Sequence, residues 1–162
     1  MSDGGLITCL LEMAFGGLSG LKIDIVHRER KNPIEVLFSE EVGWVLEIKG
    51  DCIDKALTEF KNNNVPCFPI GVSSGSGPTA PIEISVHGNT VLESEMADLF
   101  QIWEETSYQL DKLQANAICV TKEFESLKKR EGPKYRMNFE LTTVPIYASL
   151  SPGMTRFWFV RI

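Results

Sequence analysis

Residues 4–25 read GGLITCLLEMAFGGLSGLKIDI and carry the two patterns on which the fold depends. In the first, Leu6, Leu10 and Ala14 fall on one face of a helix, and neighbouring apolar residues widen that face. So broad an apolar surface predicts a helix that is buried on most sides. In residues 21–25, apolar and polar residues alternate strictly, which is typical of a half-buried strand.

The remaining sequence continues this mixture of strands and helices. Further strands are predicted at residues 44–49 and 67–72 and in a hairpin at 82–92. Further helices are predicted at residues 53–60 and 95–114, the second with Trp103 in its buried stripe, while residues 34–38 fit a helical turn or a short strand. Residues 73–79 are rich in serine and glycine, which predicts a loop. Together these elements predict an α/β (or α+β) fold, a mixed sheet with helices packed on its faces. Because the first element is a helix with no strand before it, we expect this domain to be truncated at its N-terminus.

Composition excludes several classes of protein. The 162 residues are 43% hydrophobic and carry a net charge of −6, so we expect an ordered domain with no general affinity for nucleic acid. No stretch is long and apolar enough to predict a membrane span, and no secretory signal opens the chain. Four scattered cysteines and two histidines make a zinc site improbable, and we expect a cytoplasmic protein with reduced, mostly buried thiols.

The start of the first helix is the strongest candidate for a binding site. Ser2, Asp3, Gly4 and Gly5 precede or open this helix, whose first backbone N–H groups and dipole favour an anion. Paired glycines would let a phosphate approach the backbone closely. The alternative is a plain N-cap made by Ser2 or Asp3, with no ligand.

Other polar residues give weaker signals. Glu40 and Glu41 could bind a ligand or act in acid–base chemistry, although solvated surface charge is the more usual role. His27 and His87 have no evident catalytic partner, so we expect surface roles for both. No catalytic residue and no metal ligand is predicted in this chain.

Four motifs, in this order and at these spacings, give the sequence a family resemblance. They are SDGGL at residues 2–6, LEMAFGG at 11–17, LFSEEVG at 37–43 and WEETSY at 103–108. Together they resemble the large form of phosphoribosylformylglycinamidine synthase, also called formylglycinamide ribonucleotide amidotransferase. The similar region covers about residues 2–130. It matches the C-terminal part of the second half of that enzyme, a half which itself resembles aminoimidazole ribonucleotide synthetase.

The resemblance implies a piece of a purine-biosynthesis ligase. Its family converts formylglycinamide ribonucleotide, glutamine and ATP to formylglycinamidine ribonucleotide. The expected partners are the upstream synthetase half and the downstream glutaminase domain of the parent enzyme, together with a nucleotide, ATP or ADP with Mg²⁺. The catalytic groups of the family lie outside this sequence, so the isolated chain is predicted to be inactive. The other interpretation is a non-catalytic α/β binding or scaffold module with no nucleotide site.

The resemblance also implies residue roles and boundaries. The family motif is His-Asp-x-Ser-Asp-Gly-Gly-Leu, and its serine, which contacts the nucleotide, corresponds to Ser2. The family's magnesium-binding aspartate would stand two residues before Ser2, a position that this sequence does not include. We expect a partial synthetase-like domain over residues 1–115, a linker with a possible short helix over 116–153, and an abrupt tail over 154–162.

Overall fold

The structure is a computed structural model that describes residues 3–129, 136, 138 and 157–160. Its helices are α1 (Gly5–Gly17), α2 (Pro33–Phe38), α3 (Ile53–Asn62), α4 (Met96–Gln114) and α5 (Ala117–Glu125). Its strands are β1 (Ser19–Ile25), β2 (Trp44–Glu47), β3 (Cys67–Phe68), β4 (Gly71–Ser76), β5 (Pro81–Val86), β6 (Asn89–Glu95) and β7 (Phe157–Val160). Short 3₁₀ turns cover Gly50–Cys52 and Leu127–Lys129.

Two sheets organise these elements. The larger has the strand order β4-β1-β5-β6, in which β1 and β5 are parallel and the two outer pairs are antiparallel. The smaller has the order β2-β7-β3 and is antiparallel. The predicted mixed sheet with helices packed around it is therefore confirmed.

The core lies between α1 and the larger sheet. Leu10 and Ala14 of α1 are buried, and so are the alternate strand residues Ile23, Ile82 and Ile84. Burial of apolar side chains like these contributes about 25 cal/mol per Å² of area removed from water. The alternation of residues 21–25 thus gives the half-buried strand that it predicts.

The region around residues 67–79 differs from the sequence prediction. The single strand expected over 67–72 is two strands, β3 and β4, separated by Pro69. Proline has no N–H to donate to a sheet, so it interrupts the pairing. The loop expected over residues 73–79 is also wrong at its start, because β4 pairs with β1 as far as Ser76.

The long helix α4 is less buried than its apolar stripe predicts. Met96 is fully buried, but Trp103 is 49% exposed and Leu113 is 84% exposed. Leu99 and Phe100 also pack against the core, whereas the apolar residues nearer the end of α4 are exposed. The prediction that Trp103 is a core residue is wrong.

Helix α5 falls inside the predicted linker and packs on α4. The rings of Tyr108 and Phe124 stack with their centroids 4.1 Å apart, and Gln101 Nε2 donates a hydrogen bond to the Phe124 carbonyl. Residues 117–125 therefore form a helix held against the preceding one. The predicted tail over 154–162 includes β7, which lies between β2 and β3, and the rest of that tail lies outside the described residues.

Candidate functional site

The start of α1 already holds an anionic group. Gly4 is the residue before the helix, with φ of 87°, and its N–H donates a 2.8 Å hydrogen bond to Glu40 Oε1. The Gly4 carbonyl accepts a hydrogen bond from Thr8 Oγ1, which closes the first turn. A carboxylate is favoured there because the helix dipole and its unpaired amides attract negative charge. In this structure the helix start is therefore occupied by the chain's own Glu40 carboxylate.

The predicted site residues occupy different surroundings. Asp3 is exposed and makes no capping bond to α1 among the described residues, so the interpretation of Asp3 as the N-cap is wrong. Gly4 takes the N-cap position because this position has a left-handed backbone conformation, which glycine adopts at a lower energy cost than other residues. Ser2 lies outside the described residues. A contact of Ser2, Asp3, Gly4 or Gly5 with a nucleotide stays a prediction.

Gly5 has a clear packing role. It is buried with φ of 81°, and a Cβ placed on it would lie 2.7 Å from the Leu37 carbonyl oxygen and 2.8 Å from Phe38 Cα. No side chain fits between these backbones. Gly5 therefore lets the start of α1 pack directly against the end of α2.

The loop after α2 delivers Glu40 to this position. Asn32 caps α2 by accepting from the Ile34 N–H at 3.0 Å, and the helix ends at Phe38. Ser39 Oγ accepts a 2.6 Å hydrogen bond from Arg30, and the Arg30 guanidinium forms an ion pair with Glu41. Because Ser39 and Glu41 are both held, Glu40 between them is directed toward α1.

The structure brings the four sequence motifs together in pairs. The motifs at residues 2–6 and 37–43 meet through Gly4 and Glu40 and through the packing of Gly5. The motifs at 11–17 and 103–108 meet where the ring of Phe15 lies 5.7 Å from that of Trp103, with Phe100 completing the cluster. Sequence reasoning left the role of Glu40 open, since the 30 residues between the two motifs give no sign that they touch.

The histidines have structural roles among the described residues. His27 Nδ1 accepts hydrogen bonds from the backbone N–H groups of Glu29 and Arg30, at 3.2 and 2.9 Å. His87 lies in the β5–β6 turn, with φ of 53°, and its Nε2 contacts the Arg30 carbonyl oxygen at 2.9 Å. Both imidazoles thus fix the loop that follows β1.

The cysteines do not match the expectation of mostly buried thiols. Cys52 and Cys119 are exposed, whereas Cys9 and Cys67 are half-buried. Partial burial raises the pKa of the Cys67 thiol above its usual value, because desolvation disfavours the thiolate.

The described residues contain neither a cluster of metal ligands nor a helix that could span a membrane. No three His, Cys, Asp or Glu side chains cluster closely enough to hold a metal ion. In the same part of the chain, no helix has the length and apolarity to cross a membrane.

Comparison with known proteins finds relatives of this chain. No family model matches the chain. It is 43% identical over 147 residues to the Homo sapiens protein named phosphoribosylformylglycinamidine synthase and 36% identical over 149 residues to the Drosophila melanogaster protein of that name. It is 40% identical over 139 residues to an Arabidopsis thaliana protein named probable phosphoribosylformylglycinamidine synthase, chloroplastic/mitochondrial.

These matches cover 84–90% of this chain but only 10–11% of each of the three relatives. The chain thus spans about a tenth of the length of the curated relatives it matches. The family resemblance carried by the four motifs is confirmed.

Proposed function

On the premise that this chain is homologous to one segment of the phosphoribosylformylglycinamidine synthases, we propose that it serves as part of such an enzyme. The whole enzyme would convert formylglycinamide ribonucleotide, glutamine and ATP to formylglycinamidine ribonucleotide in the cytoplasm. The upstream synthetase half and the glutaminase domain would be its partners. By itself the chain would not catalyse this reaction, because ligand geometry needs groups from other segments. A coupled assay that detected amide-nitrogen transfer by this polypeptide alone would overturn that statement.

Within the enzyme, the start of α1 would bind a phosphate of ADP or ATP. The backbone N–H groups of Asp3, Gly4 and Gly5 would lie against the phosphate, and the Ser2 hydroxyl would donate to it. The observation that supports this proposal is the 2.8 Å bond from Gly4 N–H to Glu40 Oε1, since a position that binds one oxyanion can bind another. Glu40 would leave this amide when the nucleotide binds.

Magnesium would accompany the nucleotide. Carboxylate and phosphate oxygens are the ligands that Mg²⁺ prefers. The described residues hold no preformed cluster of metal ligands, so most of the coordination would come from the nucleotide and from other segments of the enzyme.

A scaffold role is the second candidate, and one observation favours it. If Glu40 caps α1 permanently and Gly5 serves only to pack α1 on α2, no nucleotide is needed to explain the glycines. The segment would then support the fold of the larger enzyme. The two candidates differ in whether Glu40 can be displaced by an anion.

Thermal unfolding in the presence of ADP and Mg²⁺ separates these candidates. Glu40→Gln removes the competing charge, so a nucleotide site predicts a larger rise of the melting temperature with ADP than in the wild-type chain. Ser2→Ala should make the rise smaller. Glu93→Gln, at an exposed position on β6, is the control for the same change of net charge.

If neither the wild-type chain nor Glu40→Gln responds to millimolar ADP, the result favours the scaffold role. A response that is the same in Glu40→Gln and Glu93→Gln would contradict the displacement of Glu40 by the nucleotide.

A further inference from the structure

A cavity lies at the carboxyl end of β1, beside the loop that follows this strand. Its volume is about 700 Å³, a size typical of small-molecule sites. The buried side chains of Leu6, Ile25, Val36 and Ile70 reach it from the core. In sheets with parallel strands, ligands tend to bind beyond the carboxyl ends of the strands, and β1 pairs in parallel with β5 there.

Exposed apolar side chains form part of the cavity wall. Val26 is 67% exposed and Phe68 is 40% exposed, and Pro66 and Pro69 flank Phe68. Together with the buried floor, they offer a continuous apolar surface to a ligand. Covering such side chains contributes favourable free energy in proportion to the apolar area removed from water.

The rim of the cavity is held in place by hydrogen bonds. The loop of residues 27–30 folds around His27 Nδ1, which accepts two backbone N–H groups. The Arg30 carbonyl oxygen contacts His87. The Arg30 guanidinium is held by a hydrogen bond to Ser39 and an ion pair with Glu41. A rim that is already ordered loses little conformational entropy when a ligand binds.

The charges around the cavity are not equally available. The Asp24 carboxylate accepts the Gly88 N–H at 3.0 Å, and the Glu41 carboxylate is engaged by Arg30. Glu29 and Arg28 are both exposed and line the cavity, and Arg28 makes no ion pair among the described residues. Its planar guanidinium can hold a carboxylate or a phosphate with two parallel hydrogen bonds.

We propose that this cavity binds a small molecule in which an apolar body is joined to an anionic group. The apolar body would lie against Val26 and Phe68, and the carboxylate or phosphate would bind the Arg28 guanidinium. The site adjoins the start of α1, since Leu6 lines it, but neither Gly4 nor Glu40 does. It stands whether or not α1 binds a nucleotide.

Amide-resolved NMR titration of the 162-residue chain with four probes tests this inference. Phenyl phosphate and 3-phenylpropionate carry both features, 2-phenylethylamine carries the opposite charge, and inorganic phosphate lacks the apolar body. We expect the two aromatic anions to shift the amide signals of residues 26–30 and of Phe68, and the other two probes to leave them unchanged. The tighter binder of the two anions identifies the headgroup as a phosphate or a carboxylate.

Variants connect the response to the proposed contacts. Arg28→Met should weaken binding of the aromatic anions at least about tenfold, since a hydrogen-bonded charge pair is lost. Glu29→Gln changes the neighbouring charge and should leave binding equal or tighter. Val26→Asp should weaken binding without using Arg28, because it puts a negative charge on the apolar wall.

Three results would overturn the proposal. They are the absence of signal changes at the rim with either aromatic anion, equal binding of 2-phenylethylamine, and unchanged affinity in Arg28→Met. Arg28 and Val26 are both exposed, so these variants should keep the wild-type spectrum. If Arg28→Met does not fold, unchanged affinity in Val26→Asp also rejects the site.

Discussion

Replacing Gly5 by alanine should destabilise the protein by blocking the contact between α1 and α2. The backbone of Gly5 has φ of 81°, a region that costs an alanine about 1–2 kcal/mol. The new Cβ would also lie 2.7 Å from the Leu37 carbonyl oxygen and 2.8 Å from Phe38 Cα, closer than real Cβ atoms come to other atoms. Both neighbours are backbone atoms, so no side-chain rotation relieves the clash.

The expected loss of stability follows from these two effects. Relief of an overpacked contact costs about 1–3 kcal/mol, so with the backbone strain we expect the free energy of unfolding to fall by about 3 kcal/mol. That is a large part of the roughly 5–15 kcal/mol that stabilises a typical domain. With a urea dependence of about 2 kcal/mol per molar, the midpoint of unfolding would fall by about 1.5 M.

Urea unfolding followed by circular dichroism measures this shift, and Gly16→Ala is the matched control. Gly16 lies in the same helix, and a Cβ placed on it would meet nothing within 4 Å. Alanine there should stabilise the protein by about 0.5–1 kcal/mol, since glycine is the poorer helix former. If Gly5→Ala unfolds at the same urea concentration as Gly16→Ala, the tight packing of α1 against α2 is refuted.

Three further predictions concern other parts of the chain. Phe15→Ala should lower the free energy of unfolding by about 3 kcal/mol or more, because Phe15 is buried among the α4 rings. A urea midpoint equal to that of the wild-type chain would contradict this. Exposed Cys52 should react with a thiol reagent faster than Cys67, because partial burial raises the pKa of the Cys67 thiol. Mass spectrometry that showed Cys67 labelled before Cys52 would be inconsistent with the structure. Hydrogen bonds to Asp98 and, to a smaller extent, Glu95 raise the pKa of Lys128. The ion pairs of Lys128 with these two carboxylates should therefore stabilise the fold at neutral pH, and this stabilisation should be lost as the pH rises through the raised pKa. Lys128→Met should therefore lower the melting temperature slightly at low salt and not at high salt, and a salt-independent change would exclude an electrostatic cause.

Much of the secondary structure could be predicted from the sequence. The periodic apolar residues of α1 and the strict alternation of β1 report directly on which side chains are buried, and both elements lie where these patterns place them. The hairpin is also predicted, and its two-residue turn is His87–Gly88, with both residues at positive φ. Patterns such as these are local, so neighbouring residues suffice to detect them.

Features that depend on distant contacts could not be predicted. Trp103 belongs to an apolar helical stripe, but the stripe does not tell which turns of α4 the core reaches. The serine-rich residues of β4 form a strand because β1 offers them an edge to pair with, not because of their own propensity. Likewise, the bond of Glu40 to Gly4 joins residues 36 positions apart, so local sequence could only identify each of them as a candidate.

The central proposal is that the start of α1 binds a nucleotide phosphate in place of Glu40, and the Gly4 amide reports on this most directly. ADP with Mg²⁺ should shift the NMR signal of the Gly4 N–H in the wild-type chain, and the shift should saturate at a lower ADP concentration in Glu40→Gln. A Gly4 signal that stays in place in both proteins at millimolar ADP would contradict the proposal.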